Sequence, residues 1–267
     1  MALKRIDSRE NPVFRQIDRF RRNKGGADDG VLFLEGLRLC QDAVLSGVRT
    51  IRVILSETAV GRKEVQSFLD SVHADEETVL LSDRLFSALA GTESPQGVAL
   101  LCEKPLIRPD QVAALPDGLY LVLEGIADPG NVGTLIRTAD AFAFDGVLLL
   151  PQTASPYNDK AIRSSMGSCF HVPLISLPDL DALADYLKKA GLALYAADLS
   201  GISILNEPFD RAGAILIGNE AHGISPEARR LCDRLVTIPM PGRAESLNAA
   251  AAGAILCHEL RRAHPLA

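Results

Sequence analysis

The amino-acid sequence predicts an α/β protein of two domains, with a parallel sheet in the second domain. Short apolar runs alternate with segments of helical period in both halves of the chain. The second half opens with Leu119–Leu123, an unbroken apolar run typical of a strand buried on both faces. Several later strands run directly into loops rich in Gly, Asn and Glu. A parallel sheet gathers such loops at one edge, where ligands usually bind.

The N-terminal half contains the elements of a small α/β domain. Asn11–Arg22 is predicted to be a basic amphipathic helix, because Val13, Ile17 and Phe20 share one face. The following elements are predicted in chain order as strand 31–34, helix 36–46, strand 50–55, helix 63–72, strand 78–81, helix 83–89 with Asp83 as its N-cap, and strand 98–102.

Prolines punctuate a change of composition after these elements, at Pro105, Pro109 and Pro116. The sequence therefore predicts an N-terminal domain over 1–104, a linker over 105–117 and a second domain over 118–267. In the second domain, 124–133 is predicted to be a glycine-rich loop before a helix over 134–142. Later elements are predicted as strand 146–150, helix 159–166, helix 180–189, strand 192–197, strand 214–217 and a helix that starts near Pro226.

A distinctive stretch near the C-terminus joins a strand to an alanine-rich helix. The β-branched run that starts at Val236 is ended by Pro239 and Pro241, which lack a backbone donor. A turn at Gly242 follows, and Ser246 is predicted to cap the helix. Polar side chains at such a helix start can face a ligand crevice. The alternative interpretation is simply a well-capped helix at the end of a domain.

Composition restricts the function classes that remain open. The 267 residues carry a formal net charge of −6, and aromatic residues make up 5% of the chain, which argues against a nonspecific nucleic-acid coat protein. Residues 1–24 nevertheless hold eight Lys/Arg and three Asp/Glu, and this local charge of +5 could reach phosphates. The alternative for these residues is the solvated face of a helix.

Targeting segments, metal sites and several common cofactor motifs are not indicated by the sequence. The five scattered cysteines predict neither a disulfide framework nor a zinc site. No apolar run resembles a signal peptide or a membrane span, so a reduced, cytoplasmic protein is expected, with no metal and no membrane partner. The glycine-rich loop matches neither GxGxxG nor a Walker motif, and no GxSxG elbow occurs. Nicotinamide, NTP and serine-hydrolase chemistry are therefore disfavoured.

Three ordered motifs of the second half resemble the signature motifs of the SpoU-type (TrmH-like) RNA 2′-O-ribose methyltransferases of the SPOUT superfamily. They are Asn131–Ala139 (NVGTLIRTA), Ile217–Gly223 (IGNEAHG), and Ile238–Met240 (IPM) with Glu245–Asn248 (ESLN). Phe33–Gly36 (FLEG) and Ser94–Gly97 (SPQG) are similar to marks of the substrate-binding domain that often precedes this catalytic domain. The resemblance covers most of the chain.

This resemblance implies a fold and a cofactor that spacing alone does not. The residues by themselves predict an unknotted, doubly wound sheet, whereas the family tucks its C-terminal segment through a loop as a trefoil knot. The resemblance also implies S-adenosylmethionine folded within the knot and held mostly by backbone atoms, and a homodimer with the active site close to the interface. The cofactor-binding candidates by position are Gly218, Asn219, Glu220, Ile238, Met240 and Leu247.

The implied reaction is methyl transfer to a ribose 2′-hydroxyl of RNA. Ribosomal RNA is expected because the two-domain arrangement resembles that of ribosomal-RNA and resistance methyltransferases. The catalytic candidates are Arg137, Asn131, Glu220, Ser246 and Asn248. Because arginine stays protonated in almost every setting, we expect Arg137 to anchor a phosphate or stabilise the transition state. The alternative for Arg137 is a salt bridge on the helix surface, for example to Asp140.

Lys160, Arg163 and Ser165 are candidate contacts to the RNA backbone, with ordinary solvated helix residues as the alternative. Three other functions stay open. The chain could be an RNA-binding protein of the same fold without transfer activity, a tRNA 2′-O-methyltransferase, or a methyltransferase for a small molecule. The complete set of polar candidates argues against the first. The basic segment and the additional N-terminal domain favour RNA over a small molecule.

Overall fold

The computed structural model of the protein describes residues 3–22, 30–72, 78–206 and 209–266. The chain divides into an N-terminal unit, residues 1–105 with 157–159, and a C-terminal unit, residues 106–156 with 160–267. Each unit has its own sheet and its own apolar core. Among the described residues, no helix is long and apolar enough to cross a membrane. Lys24, part of the basic segment, lies outside the described ranges.

The N-terminal unit contains a mixed sheet. Its strands and helices are β1 (Leu3–Ile6), α1 (Pro12–Arg22), β2 (Val31–Glu35), α2 (Leu37–Leu45), β3 (Thr50–Ser56), α3 (Glu57–Val60), α4 (Lys63–Ser71), β4 (Thr78–Leu81), α5 (Asp83–Leu89) and β5 (Val98–Glu103). The strand order is β1-β4-β3-β5-β2. Strands β1, β4 and β3 run parallel, whereas β5 is antiparallel to both of its neighbours. The predicted small α/β unit is confirmed.

Local details of this unit differ from the sequence prediction. Phe14 and Ile17 form the buried side of α1, and Val13 and Phe20 pack only partly against it. The N-cap of α5 is Ser82, whose Oγ accepts a hydrogen bond from Leu85 N, so the prediction that Asp83 caps this helix was wrong. Strand β1 and helix α3 were not predicted. Both are too short to show a period in the sequence.

The C-terminal unit contains a fully parallel sheet. Its strands and helices are β6 (Leu106–Ile107), β7 (Tyr120–Leu123), α6 (Pro129–Ala141), β8 (Gly146–Leu149), α7 (Asp159–Ser165), β9 (Leu174–Ser176), α8 (Leu180–Lys189), β10 (Ala193–Ser203), β11 (Gly213–Ile217), α9 (Pro226–Leu231), β12 (Arg234–Thr237) and α10 (Ala249–Ala263). The order is β12-β10-β11-β7-β8-β9-β6, and every neighbouring pair is parallel. The predicted α/β class with a parallel C-terminal sheet is confirmed. Strand β6 lies within 105–117, the segment predicted as a linker.

Helix α6 starts five residues earlier than the sequence predicted. Asp128 is its N-cap and accepts a hydrogen bond from Gly130 N at 2.8 Å, while Pro129 occupies the first turn, where its missing N–H costs nothing. Gly133 lies inside the helix because a Cβ there would stand 2.2 Å from the carbonyl oxygen of Ala161. Gly130 and Gly133, which were predicted to lie in a loop, therefore belong to a helix that packs closely against α7.

Helix α10 begins at Ala249 and is capped by Asn248, not by Ser246 as predicted. The Asn248 Oδ1 accepts hydrogen bonds from the backbone N–H groups of Ala250 at 2.9 Å and Ala251 at 3.2 Å. Ser246 lies two residues earlier, in an exposed segment without regular secondary structure. The sequence contains two good capping residues in succession, and propensity alone does not choose between them.

Helix α10 packs on α6 and on β11 in the middle of the sheet. At Gly253, an added Cβ would stand 2.2 Å from Leu135 Cδ2, so the two helices approach closely there. Arg261 Nε of α10 also donates to the carbonyl of Phe142, just after α6, at 2.8 Å. The N-termini of these two helices therefore lie on the same side of the sheet, where the strands end.

Candidate active site

A cleft of about 800 Å³ opens at the carboxyl ends of β10, β11 and β12. This is the edge where the sequence predicted a ligand crevice. All six cofactor-binding candidates line the cleft, namely Gly218, Asn219, Glu220, Ile238, Met240 and Leu247. Three of the five catalytic candidates, Glu220, Ser246 and Asn248, line it.

A chain of side-chain hydrogen bonds connects the three motifs beside this cleft. Asn131 Nδ2, in the first turn of α6, donates to Glu220 Oε1 at 2.8 Å. Asn248 Nδ2 donates to Asn131 Oδ1 at 3.0 Å. We call Glu220, Asn131 and Asn248 the polar relay. Residues that are 89 and 117 positions apart in the chain are thereby held in one arrangement.

The Glu220 carboxylate holds the start of α6 in two further places. It accepts hydrogen bonds from the backbone N–H groups of Ala127 at 3.0 Å and Asp128 at 3.3 Å. Partial burial opposes the charged form, but the hydrogen bonds from Asn131, Ala127 and Asp128 outweigh burial and lower the pKa of Glu220 below its ordinary value of 4.5. Glu220 is therefore an anion at neutral pH and a weak proton acceptor.

Asn219 shapes the loop that presents Glu220. Its Nδ2 donates to the carbonyl of Gly125 at 2.7 Å, and its Oδ1 accepts from the backbone N–H groups of Ala221 and His222. The backbone of Asn219 also forms two hydrogen bonds with Gly223, at 2.9 and 2.8 Å. These hydrogen bonds hold the Asn219 side chain against its own loop, so it contributes to the cleft as a rigid part of the wall.

Arg137 lies apart from the polar relay. It sits in the middle of α6 with an exposed side chain, and it is not among the residues that line the cleft. It makes no hydrogen bond or ion pair with the residues that the structure describes. The alternative salt bridge to Asp140 does not form, because the Asp140 carboxylate faces His171 Nδ1 at 3.0 Å. The guanidinium of Arg137 is available to a phosphate or a second polypeptide.

The three candidate RNA contacts of α7 differ in exposure. Lys160 Nζ pairs with Asp128 at 2.6 Å beside the start of α6, and Arg163 is exposed. The pKa of Asp128 is lowered by the hydrogen bond from Lys160 and by that from Gly130 N. Ser165 is fully buried, and its hydroxyl donates to the carbonyl of Ile162 at 2.9 Å. This burial removes Ser165 from any surface that RNA could contact.

Another polar cluster in the cleft wall was not predicted. Asp198 and Ser200 of β10 and Arg229 of α9 line the cleft and contact one another. Asp198 follows a buried apolar strand segment at the ligand edge of a parallel sheet, and that position was the available signal in the sequence. The predicted strand ended at residue 197, so Asp198 was left in a connecting segment. Among the described residues, no group of three or more His, Cys, Asp or Glu is placed to hold a metal ion.

A parallel α/β sheet with a cleft at its carboxyl edge is typical of α/β proteins that bind a nucleotide or another small ligand there. Comparison with known families makes this assignment specific. The model of the SpoU rRNA Methylase family matches residues 118–258, and the model of the MRM3-like substrate binding domain matches residues 11–100. The chain belongs to the SpoU rRNA methylase family, and the resemblance seen in the sequence is confirmed.

Individual relatives cover nearly the whole chain. The 23S rRNA (guanosine(2553)-2′-O)-methyltransferase RlmP of Bacillus subtilis is 31% identical, over 97% of this chain and 100% of that protein. An AdoMet-bound rRNA methyltransferase from Sinorhizobium meliloti is 28% identical with a TM-score of 0.88, covering 99% of both chains. The SpoU methyltransferase AviRb from Streptomyces viridochromogenes, in complex with AdoMet, is 29% identical with a TM-score of 0.84, covering 96% of this chain and 98% of that one.

Proposed function

We propose that this protein transfers a methyl group from S-adenosylmethionine to a ribose 2′-hydroxyl of RNA, with ribosomal RNA as the substrate. The observation that carries the proposal is the polar relay, in which one residue from each of three distant motifs meets at the rim of the cleft. The relatives support it, since RlmP is named as a 23S rRNA 2′-O-methyltransferase and AviRb is in complex with AdoMet.

The chemistry of the cleft fits this cofactor. Ile238, Met240 and Leu247 give an apolar lining suited to an adenine ring. The Glu220 carboxylate adds a negative charge, which suits a cofactor with a positively charged sulfonium group. The space of about 800 Å³ lies within the range of sites for small ligands. Gly218 would present backbone groups, and Asn219 would form part of the wall. The bound cofactor supplies an electrophilic methyl group on a sulfonium centre.

The side chains of the protein then have to align the ribose hydroxyl with that methyl group. We assign this task to Asn131 and Asn248, whose positions are fixed by the relay, with Ser246 shaping the adjoining turn. Glu220 acts as a positioning residue, because its lowered pKa makes it a weak base. Arg137 cannot lose its proton at neutral pH, so we assign it to an RNA phosphate or to the charge of the transition state.

We infer that the protein acts as a homodimer. Thr134 and Arg137 of α6 and Ile255 of α10 have exposed side chains on two helices that pack together. Arg137 does not line the cleft of its own chain, and a second copy on this face would bring its guanidinium against another polypeptide. Lys160 and Arg163 remain the candidate contacts of α7 to RNA, whereas Ser165 is left out because it is buried.

The family resemblance also motivates a proposal on topology and domain roles. A trefoil knot over the C-terminal segment is supported by the path of the chain, which leaves β12 at the sheet edge and returns to pack α10 on α6 and β11. We assign substrate RNA binding to 1–104 and catalysis to 118–267, joined by 105–117, and the two family matches support this division. Action on ribosomal RNA suggests a cytoplasmic location.

Methyl transfer with isotope-labelled S-adenosylmethionine tests the proposal. Purified protein is incubated with unmodified ribosomal RNA or tRNA, and the digested nucleosides are analysed by mass spectrometry. We expect a labelled 2′-O-methylnucleoside from ribosomal RNA, and none with the Asn131→Ala variant. Label only in tRNA would support the tRNA alternative. RNA binding without any label would support the alternative of a binding protein, and a label on a base would contradict ribose chemistry.

A further inference from the structure

The polar cluster of Asp198, Ser200 and Arg229 forms a part of the cleft wall that the relay does not use. Asp198 Oδ1 accepts hydrogen bonds from Ser200 N at 2.8 Å and Ser200 Oγ at 2.6 Å. Its Oδ2 pairs with the guanidinium of Arg229, which also donates to Ser200 Oγ at 3.2 Å. Ser200 and Arg229, from two different elements, therefore hold the Asp198 carboxylate in a fixed orientation at the cleft.

The backbone beneath this cluster is specialised. The register between β10 and β12 shifts between Ala197 and Ile202, so the segment that carries Asp198 leaves the regular ladder. Gly201 is pressed against the neighbouring strand, where an added Cβ would stand 2.5 Å from Val236 N. Burial opposes the charge of Asp198, yet the hydrogen bonds from Ser200 and the Arg229 contact lower its pKa. The cleft wall thus presents an anion at neutral pH.

The position of Asp198 in the sheet indicates which part of the cofactor it would meet. Strand β10 is two places away from β7, which leads into α6 and Asn131. Neighbouring strands are spaced about 4.8 Å apart, so Asp198 lies roughly 10 Å along the sheet edge from the end of β7, the strand that leads into α6. The reacting methyl group belongs near Asn131, where we place the ribose of the RNA. The nucleoside part of the cofactor is the part that can extend toward β10.

A carboxylate offers about four acceptor sites, and Ser200 and Arg229 use three of those on Asp198. A ribose carries two vicinal hydroxyl groups, each able to donate one hydrogen bond. We propose that Asp198 accepts a hydrogen bond from a ribose hydroxyl of the cofactor, and that Ser200 and Arg229 are positioning residues that orient its carboxylate. This assignment rests on the proposed function of the cleft.

Isothermal titration with S-adenosylhomocysteine and its 2′,3′-dideoxyribose analogue tests the assignment. We expect Asp198→Asn to bind S-adenosylhomocysteine about tenfold more weakly than the wild type, as for the loss of a hydrogen bond to a charged group. The wild type should lose a similar factor with the dideoxy analogue, while Asp198→Asn should lose less than about twofold. Asp233→Asn is the matched control, because Asp233 also pairs with an arginine and accepts a backbone N–H but does not line the cleft.

Several results would overturn the assignment. One is wild-type affinity of Asp198→Asn for S-adenosylhomocysteine. Another is an equal loss of affinity in Asp198→Asn for S-adenosylhomocysteine and for its dideoxyribose analogue, which indicates a structural effect. The ligand 5′-methylthioadenosine keeps the ribose but lacks the amino-acid part. If it binds wild type and Asp198→Asn equally, the donor is the ammonium group and not the ribose.

A second variant covers the case in which Asp198→Asn does not fold. Arg229→Lys keeps the positive charge but loses the planar guanidinium that can donate to two acceptors at once. We expect its affinity for S-adenosylhomocysteine to be about threefold weaker, with a normal melting temperature. Wild-type affinity in Arg229→Lys would overturn the positioning role. A wild type that binds none of the adenosyl ligands would refute the proposed function itself. Equal binding of ribose and dideoxyribose forms by the wild type would refute only the role of Asp198.

Discussion

Glu35 in the N-terminal unit and Glu220 in the C-terminal unit use the same local device to different ends. Glu35 closes β2, and its carboxylate accepts hydrogen bonds from Gly91 N and the Thr92 hydroxyl. Glu220 follows β11 and accepts from two backbone N–H groups and from Asn131. The first carboxylate fastens one loop to one strand. The second carboxylate is linked through Asn131 to Asn248, and so connects three segments of the chain.

The architecture of the two sheets explains this difference. In the N-terminal unit β5 is antiparallel to its neighbours, so strand ends are distributed between both edges of the sheet. In the C-terminal unit all strands that pair do so in parallel, and the loops after β7, β11 and β12 meet at one edge. Functional side chains are therefore expected to come together in the C-terminal unit and not in the N-terminal unit.

The largest expected effect is the loss of turnover in Arg137→Ala. Removal of a charged group that stabilises the transition state typically lowers kcat about a hundredfold to a thousandfold. The melting temperature should not change, because Arg137 is exposed and has no partner among the described residues. Arg38→Ala removes an exposed arginine of α2 in the N-terminal unit and should raise KM for RNA while kcat is retained. Comparable kcat losses in the two variants would break the contrast between the units.

Replacement of the two strand-end carboxylates should give the next largest difference. We expect Glu220→Gln to lower kcat about tenfold to a hundredfold, because the amide has one acceptor oxygen where the carboxylate has two, and the start of α6 loses a contact. Glu35→Gln should lower the melting temperature through the same kind of loss while kcat stays within about twofold. Methyl transfer under saturating substrate and calorimetry on both variants provide the readouts. A normal kcat in Glu220→Gln would show that the relay is structural only.

Two glycine substitutions compare packing in the units. Gly133→Ala should destabilise the protein by about 1–3 kcal/mol, because the new methyl group would collide with the Ala161 carbonyl. Gly61→Ala meets nothing within 4 Å and has an ordinary φ of −80°, so stability should stay equal or rise by about 0.5 kcal/mol. Urea denaturation measures both. An unaffected Gly133→Ala would mean that α6 and α7 can separate without cost.

The smallest expected effect is a pH dependence. The folded-state pKa of Glu220 is lowered from 4.5, so its stabilising contribution is present above that value and fades as pH falls through the lowered pKa. The difference in melting temperature between the wild type and Glu220→Gln should therefore shrink from pH 6 to pH 3. Asp83→Asn should behave alike in the N-terminal unit, because hydrogen bonds from Thr58 lower the pKa of Asp83 from 3.8. A difference that grows toward acid pH would contradict both assignments.

Sequence reasoning predicted the α/β class and most elements, because period and apolar runs report burial directly. It failed where a residue is compatible with two different local structures. Pro129, Gly130 and Gly133 indicate a loop by composition, yet the first suits a helix start and Gly133 is needed for contact with α7. Ser246 and Asn248 are equally good caps in isolation. Tertiary packing, which propensity does not contain, decides both cases.

The candidate site was predicted in its residues but not in its connections. The motif resemblance drew attention to Asn131, Glu220 and Asn248, and the structure shows that they bind one another. No spacing in the sequence encodes a contact between residues 117 positions apart. Asp198 was missed because the predicted strand ended at residue 197, and local sequence patterns do not report the register shift between β10 and β12 at this point.

The relay also has a direction, because every bond in it has a donor end and an acceptor end. Asn131 offers its amide nitrogen to Glu220 and its oxygen to Asn248, so turning this amide by half a revolution would set like atoms against each other on both sides. If a donor in one of these side chains is replaced by an acceptor, the side chain that it contacts must change from acceptor to donor for the hydrogen bond to be kept. These three side chains therefore act as one unit, in which the hydrogen-bonding polarity of each member is set by its neighbour.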